Sequence, residues 1–98
     1  MGKLYKGQTD LTIKVEVGVD LTGFTSAKLI FQNPRNIEKI AEATTVQDAN
    51  NGILEFIAND ANFFNESGRW LCWAKCVNAQ GLISIGEPSA FFIYEEGN

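Results

Sequence analysis

The chain has 98 residues, no histidine, and a formal charge of −4 from 8 Lys and Arg against 12 Asp and Glu. That length makes one domain, residues 1–98, able to bury roughly two-thirds of its surface, and a hydrophobic fraction of 45% gives it a core without a disulfide or metal. The basic residues are scattered singly (Lys3, Lys6, Lys14, Lys28, Arg35, Lys39, Arg69, Lys75), so no basic stripe for nucleic acid exists.

At the amino terminus, Met1-Gly2-Lys3-Leu4-Tyr5-Lys6-Gly7 has no apolar stretch of signal-peptide length. No run approaches the roughly 18 apolar residues of a membrane span. Met1 reads as a native start, and Lys6 stands where myristoylation wants Ser or Thr. The expectation is a soluble protein made in the cytoplasm, with no membrane partner.

Leu11, Ile13, Val15, Val17 and Val19 alternate with Thr12, Lys14, Glu16 and Gly18. That period of two marks a strand with one wet face, ended by turn chemistry at Asp20-Leu21-Thr22-Gly23. A second strand runs from Ser26 to Gln32 and stops at Asn33-Pro34-Arg35-Asn36. Ile37 to Val46 begins with helix-compatible residues, but Thr44, Thr45 and Val46 and the lack of a cap favour a strand. Asn50-Asn51-Gly52 is a tight-turn signal before the strand Ile53 to Ile57.

Ala58 to Ser67 reads as a short helical turn or crossing loop carrying Phe63 and Phe64. Gly68 opens a strand from Arg69 to Val77, and Asn78-Ala79-Gln80-Gly81 reads as a hairpin loop. A last strand, or pair of short strands, spans Leu82 to Tyr94 and is interrupted at Gly86-Glu87-Pro88. About seven short strands with turns every ten or so residues make an all-β antiparallel sandwich, with a small barrel as the rival.

Cys72 and Cys76 lie four apart in one strand, so roughly 13 Å separates them on a single face. A disulfide needs Cα atoms within about 7 Å, which excludes a bond between them. They read as small buried hydrophobes, and no histidine or third cysteine exists to complete a metal site.

Without histidine, Ser-His-Asp and Cys-His nucleophile activation are excluded. The carboxylates Asp48, Asp60, Glu66 and Glu87 fall mostly in turns, where solvation and local hydrogen bonds explain them. Calcium at Asp48 and Asp60 would need a loop spacing that the chain does not show. No glycine-rich loop follows a strand and opens a helix, so nucleotide binding has no support. Asn65-Glu66-Ser67 fits the glycosylation sequon, which matters only in a secreted eukaryotic protein. The chain is expected to be no enzyme and to carry no cofactor.

Glu66-Ser67-Gly68-Arg69-Trp70-Leu71-Cys72 resembles the entry to strand F of immunoglobulin domains, Asp-x-Gly-x-Tyr-x-Cys, with Glu66 and Trp70 as variants. The strand-B cysteine would fall near Ile13 or Val15, so the inter-sheet disulfide is absent, as is the strand-C Trp, near Leu29. Over nearly its full length the chain resembles small Ig-like β-sandwich modules of tailed bacteriophages. The resembling segments are Tyr5 to Leu11, Gly18 to Gly23, Ser26 to Lys28, Gly52 to Leu54, Ser67 to Trp70 and Gly81 to Pro88. The resemblance implies an Ig-like sandwich of about seven strands and a virion structural role. It further implies an adaptor in the tail, baseplate or tail-fibre apparatus whose partners are other phage structural proteins. A capsid decoration or head-fibre protein, and a carbohydrate-binding sandwich, are the alternatives.

The Ig-like register sends Trp70, Cys72, Ala74 and Cys76 inward, and therefore Leu71, Trp73, Lys75 and Val77 outward. With Phe91 and Ile93 inward, Phe92 and Tyr94 face out; with Ala27, Leu29 and Phe31 inward, Lys28 and Ile30 face out. One outer face then carries Ile30, Leu71, Trp73, Val77, Phe92 and Tyr94, a scale of apolar surface that points to a protein contact or a homo-oligomer. A one-residue slip, or the Phe63-Phe64 loop folding over this face, would reverse that reading.

Overall fold

Period-two patterning produces strands throughout. The computed structural model describes residues 4–9 and 11–95. Its strands are β1 (Leu4–Tyr5), β2 (Leu11–Glu16), β3 (Phe24–Gln32), β4 (Glu38–Ala41) and β5 (Thr45–Asp48). They continue as β6 (Ile53–Ala58), β7 (Gly68–Asn78), β8 (Ile83–Ile85) and β9 (Ser89–Tyr94), with no helix among the described residues.

The larger sheet has the order β1-β9-β7-β3-β4, and the smaller one β2-β6-β5. β8 and β9 share one edge of the long β7: β9 runs along Gly68 to Cys72 and β8 along Lys75 to Val77. Between them Gly86 N–H donates to the Ala74 carbonyl, and Pro88, which has no N–H, sits in the break. The larger sheet is mixed, because β1 pairs parallel to β9; this corrects the expected all-antiparallel arrangement. The two sheets curl into a half-barrel consistent with a β-sandwich.

Two strand expectations are revised. Ile37 to Val46 is not one strand but two, β4 and β5, in different sheets. The change of sheet turns on buried Thr44, whose hydroxyl donates to the Ala41 carbonyl at 2.6 Å and accepts from the Leu29 N–H at 3.2 Å. β2 stops at Glu16 rather than Val19, because Gly18 takes a positive φ of 77° and Val19 turns out into solvent.

The core fills the space between the sheets with Leu29, Phe31, Leu54, Phe56, Trp70 and Ile93 at its centre. The Phe31 ring lies within 6.1 Å of the rings of Phe56, Phe63, Phe64 and Phe91, mostly edge to face. Contacts of that kind contribute about 0.5–1.5 kcal/mol each beyond burial. Phe63 and Phe64 therefore close one end of the core and do not cover the outer sheet face.

Lys39 fixes the loop that brings them there. Its Nζ donates to the carbonyls of Phe63 at 2.6 Å and Asn62 at 3.0 Å and to Asn65 Oδ1 at 3.0 Å, and lies 5.7 Å from the Trp70 ring centre. Burial pulls its pKa below the ordinary lysine value. Nearby, Asn33, itself buried, accepts from Arg35 and Ile37 N–H groups and donates to Glu66 Oε2 at 2.9 Å. Arg35 grips the same carboxylate through Nε and Nη2, tying the β3–β4 turn to the start of β7.

Candidate functional site

The outer face of the larger sheet is set by the β3–β7 register. Ala27, Leu29 and Phe31 stand opposite Cys76, Ala74 and Cys72, and all six are buried in the core. By alternation the intervening pair, Ile30 opposite Trp73, faces outward. Leu71 follows between Gln32 and Ala90, and Val77 lies between Ser26 and Ile83. On β9, Phe92 stands opposite Arg69 and is 54% exposed, while Tyr94 is 37% exposed. Their ring centres are 6.4 Å apart.

All six residues expected on this face lie on it, with different exposures. Ile30 is only 5% exposed although it is outside the main core cluster. Its cross-strand neighbours Trp73 and Ile40 cover it, so it supports the surface and does not form it. Leu71, Trp73 and Val77 are half-buried.

Three exposed residues extend the patch beyond what the sequence indicated: Ile40, Ile83 and Ile85, the last 65% exposed. Ile83 and Ile85 were legible as alternation around Ser84. Ile40 was not, because Ile37 to Val46 read as one strand with an uncertain face. Lys28, Lys75 and Arg69 interleave with the apolar groups. Lys28 pairs with Glu42 at 3.9 Å, whereas Arg69 and Lys75 make no ion pair among the described residues.

The flanks of the half-barrel are unequal. On one, the Ala41 to Thr45 turn links the sheets directly. On the other, β2 faces β9 across an apolar cleft of about 820 Å³, lined by Ile13, Val15, Val17, Phe31, Ala74 and Phe91. Cys72 also reaches this cleft, and burial pushes its thiol up to about 11, so it is protonated and unreactive at neutral pH.

The turn carboxylates have local roles. Asp48 accepts from Asn51, and Asp60 accepts from the Asn62 N–H at 2.8 Å. Asp48 stands opposite Ile53 at the start of β6 and Asp60 lies two residues past its end, so about 20 Å separates them at the rise of a strand. Among the described residues no three His, Cys, Asp or Glu side chains are grouped as a metal site would require.

Compared with known proteins, the chain matches no family model and no curated protein sequence. Its function is therefore to be read from these two surfaces.

Proposed function

We propose that this chain is a non-enzymatic Ig-like adaptor that docks, through the outer face of its larger sheet, onto other structural proteins of a tailed-phage tail, baseplate or fibre. The observation that carries the docking surface is the row of outward apolar residues from Phe92 through Leu71 and Trp73 to Ile85 and Ile83, with Arg69 and Lys75 set among them. Exposed apolar surface of that extent is unusual on a solitary domain and is typical of protein contacts.

Two features support the Ig-like assignment. The orders β2-β6-β5 and β9-β7-β3 correspond to strands B-E-D and G-F-C of that fold. Trp70 Nε1–H donates to the Glu66 carbonyl at 2.9 Å, as the hydroxyl of a tyrosine corner bonds backbone a few residues upstream. Arg69 and Lys75, without an ion pair among the described residues, add that the partner face should bring carboxylates to the apolar contact.

Electron microscopy of the intact particle tests location and distinguishes tail from capsid. A Trp73→Glu chain should fold and stay off the particle. Full incorporation of that variant would reject the docking face. A second reading draws on Phe92, Tyr94 and Arg69: adjacent exposed rings beside a guanidinium could stack and hydrogen-bond a sugar. A glycan array with wild type and Phe92→Ala decides that reading.

A further inference from the structure

The cleft on the open flank carries a separate inference, independent of the outer sheet face, so either can fail alone. β2 is paired with β6 on one edge, and among the described residues no strand pairs with its other edge. The direction of its backbone groups follows from one bond beyond the ladder: Val17 N–H donates to the Gly52 carbonyl at 2.8 Å. In an antiparallel pair, bonded residues alternate with unbonded ones. Val17, Val15, Ile13 and Leu11 therefore bond towards β6, and Thr12, Lys14 and Glu16 aim both N–H and C=O at the free edge.

The same period of two sorts the side chains. Ile13, Val15 and Val17 turn into the cleft, where each is only half-buried, while Thr12, Lys14 and Glu16 are exposed. A long free edge beside half-covered apolar side chains is the geometry that strand addition completes. Two carboxylates, Glu16 and Glu87, are among the lining residues, and neither makes an ion pair or side-chain hydrogen bond among the described residues, whereas the cation in the lining, Lys14, pairs with Glu55 at 3.9 Å.

We propose that an extended peptide segment of a partner protein adds to β2 as an antiparallel strand. Its alternate apolar side chains fill the cleft, and a Lys or Arg at its amino-terminal end meets Glu16 and Glu87. Backbone bonds to Thr12, Lys14 and Glu16 set the register. The cleft, at about 820 Å³, holds several apolar side chains in a row.

The probe is the peptide acetyl-Lys-Val-Thr-Val-Thr-Val-Thr-amide, with a control in which Glu replaces Lys. Binding is followed by amide hydrogen exchange on the full chain. Saturating probe should slow exchange at Thr12, Lys14 and Glu16 at least tenfold and leave Ile13 and Val15 unchanged. Lys14→Pro removes a free-edge donor that β6 does not use, so it should fold normally and bind at least tenfold more weakly. The Glu control should bind at least fivefold more weakly than the probe, and Glu16→Gln with Glu87→Gln should erase that difference.

Undiminished binding to Lys14→Pro overturns the proposal, as does probe binding without protection of the three amides. If Lys14→Pro does not fold, the wild-type chain decides: no slowing of exchange at Thr12, Lys14 and Glu16 under saturating probe overturns the proposal. Protection that rises with protein concentration alone would assign the edge to a second copy of this chain and overturn the partner-peptide reading.

Discussion

Ile30 and Trp73 face one another directly across the β3–β7 ladder on the outer side of the larger sheet. Trp73 remains half-buried while Ile30 beneath it is almost fully covered. The pair thus joins the stability of the sheet to the surface proposed for docking. Trp73→Glu should cost about 1–2 kcal/mol by uncovering Ile30, yet leave the chain folded. Urea unfolding checks the magnitude, and collapse of the fold would place Trp73 in the core.

Ile83 and Ile85 lie on the same face but are more than half exposed, so they contribute little to folding. The double variant Ile83→Thr, Ile85→Lys should change stability by less than about 0.5 kcal/mol per site. If the outer face docks, incorporation into particles should fall several-fold. Incorporation at the wild-type level would remove this arm from the interface.

Glu66 serves the buried Asn33, the Arg35 guanidinium and, through its carbonyl, the Trp70 indole. Glu66→Ala leaves the buried Asn33 amide without that partner, at a cost of about 1–3 kcal/mol. Trp70→Ala removes the largest fully buried side chain and should cost about 3–5 kcal/mol. Thermal melts of both variants, read beside an exposed control such as Glu42→Ala, provide the comparison.

Gly52 has a φ of 67°, and a Cβ there would collide with the Val19 carbonyl oxygen. Gly52→Ala should therefore destabilise the chain by at least about 2 kcal/mol, from left-handed backbone strain plus the clash. A stable Gly52→Ala protein would mean that the β5–β6 turn is built differently.

The Cys72 thiol is held protonated by burial, its pKa raised from 9.0 to about 11, and Cys76 is raised in the same direction. Between those values the unfolded chain has released a proton that the folded chain keeps, so stability falls as pH rises from 9 to 11. The gap between 9.0 and about 11 sets a ceiling of about 3 kcal/mol. Denaturant titrations at pH 8 and pH 10.5 should show a smaller loss for Cys72→Ala than for wild type. In the native state at pH 7.5, neither thiol should react promptly with a disulfide reagent.

Much of the strand pattern was legible in the chain because period two is a local signal. Leu11 to Glu16 and Arg69 to Val77 alternate, and each side chain's face follows from its neighbours. Alternation together with the register implied by the Ig-like resemblance gave the expectation that Ile30, Leu71, Trp73, Val77, Phe92 and Tyr94 share one outer face. Absent histidine, and two cysteines four residues apart in a strand, likewise carried their chemical consequences without a structure.

Which strands pair with which was not local. The split of Ile37 to Val46 between two sheets depends on the Thr44 hydroxyl reaching Leu29, a contact formed only on folding. Coverage of Ile30 needs both Trp73 and Ile40 alongside, and among the described residues β1 pairs with β9 while one edge of β2 has no strand beside it. The sequence by itself determined the strongly alternating strands, Leu11 to Glu16 and Arg69 to Val77, since period two follows from backbone geometry one residue at a time. Only the tertiary structure decided which edges close and which stay open, because hydrogen bonds between distant segments choose those partners.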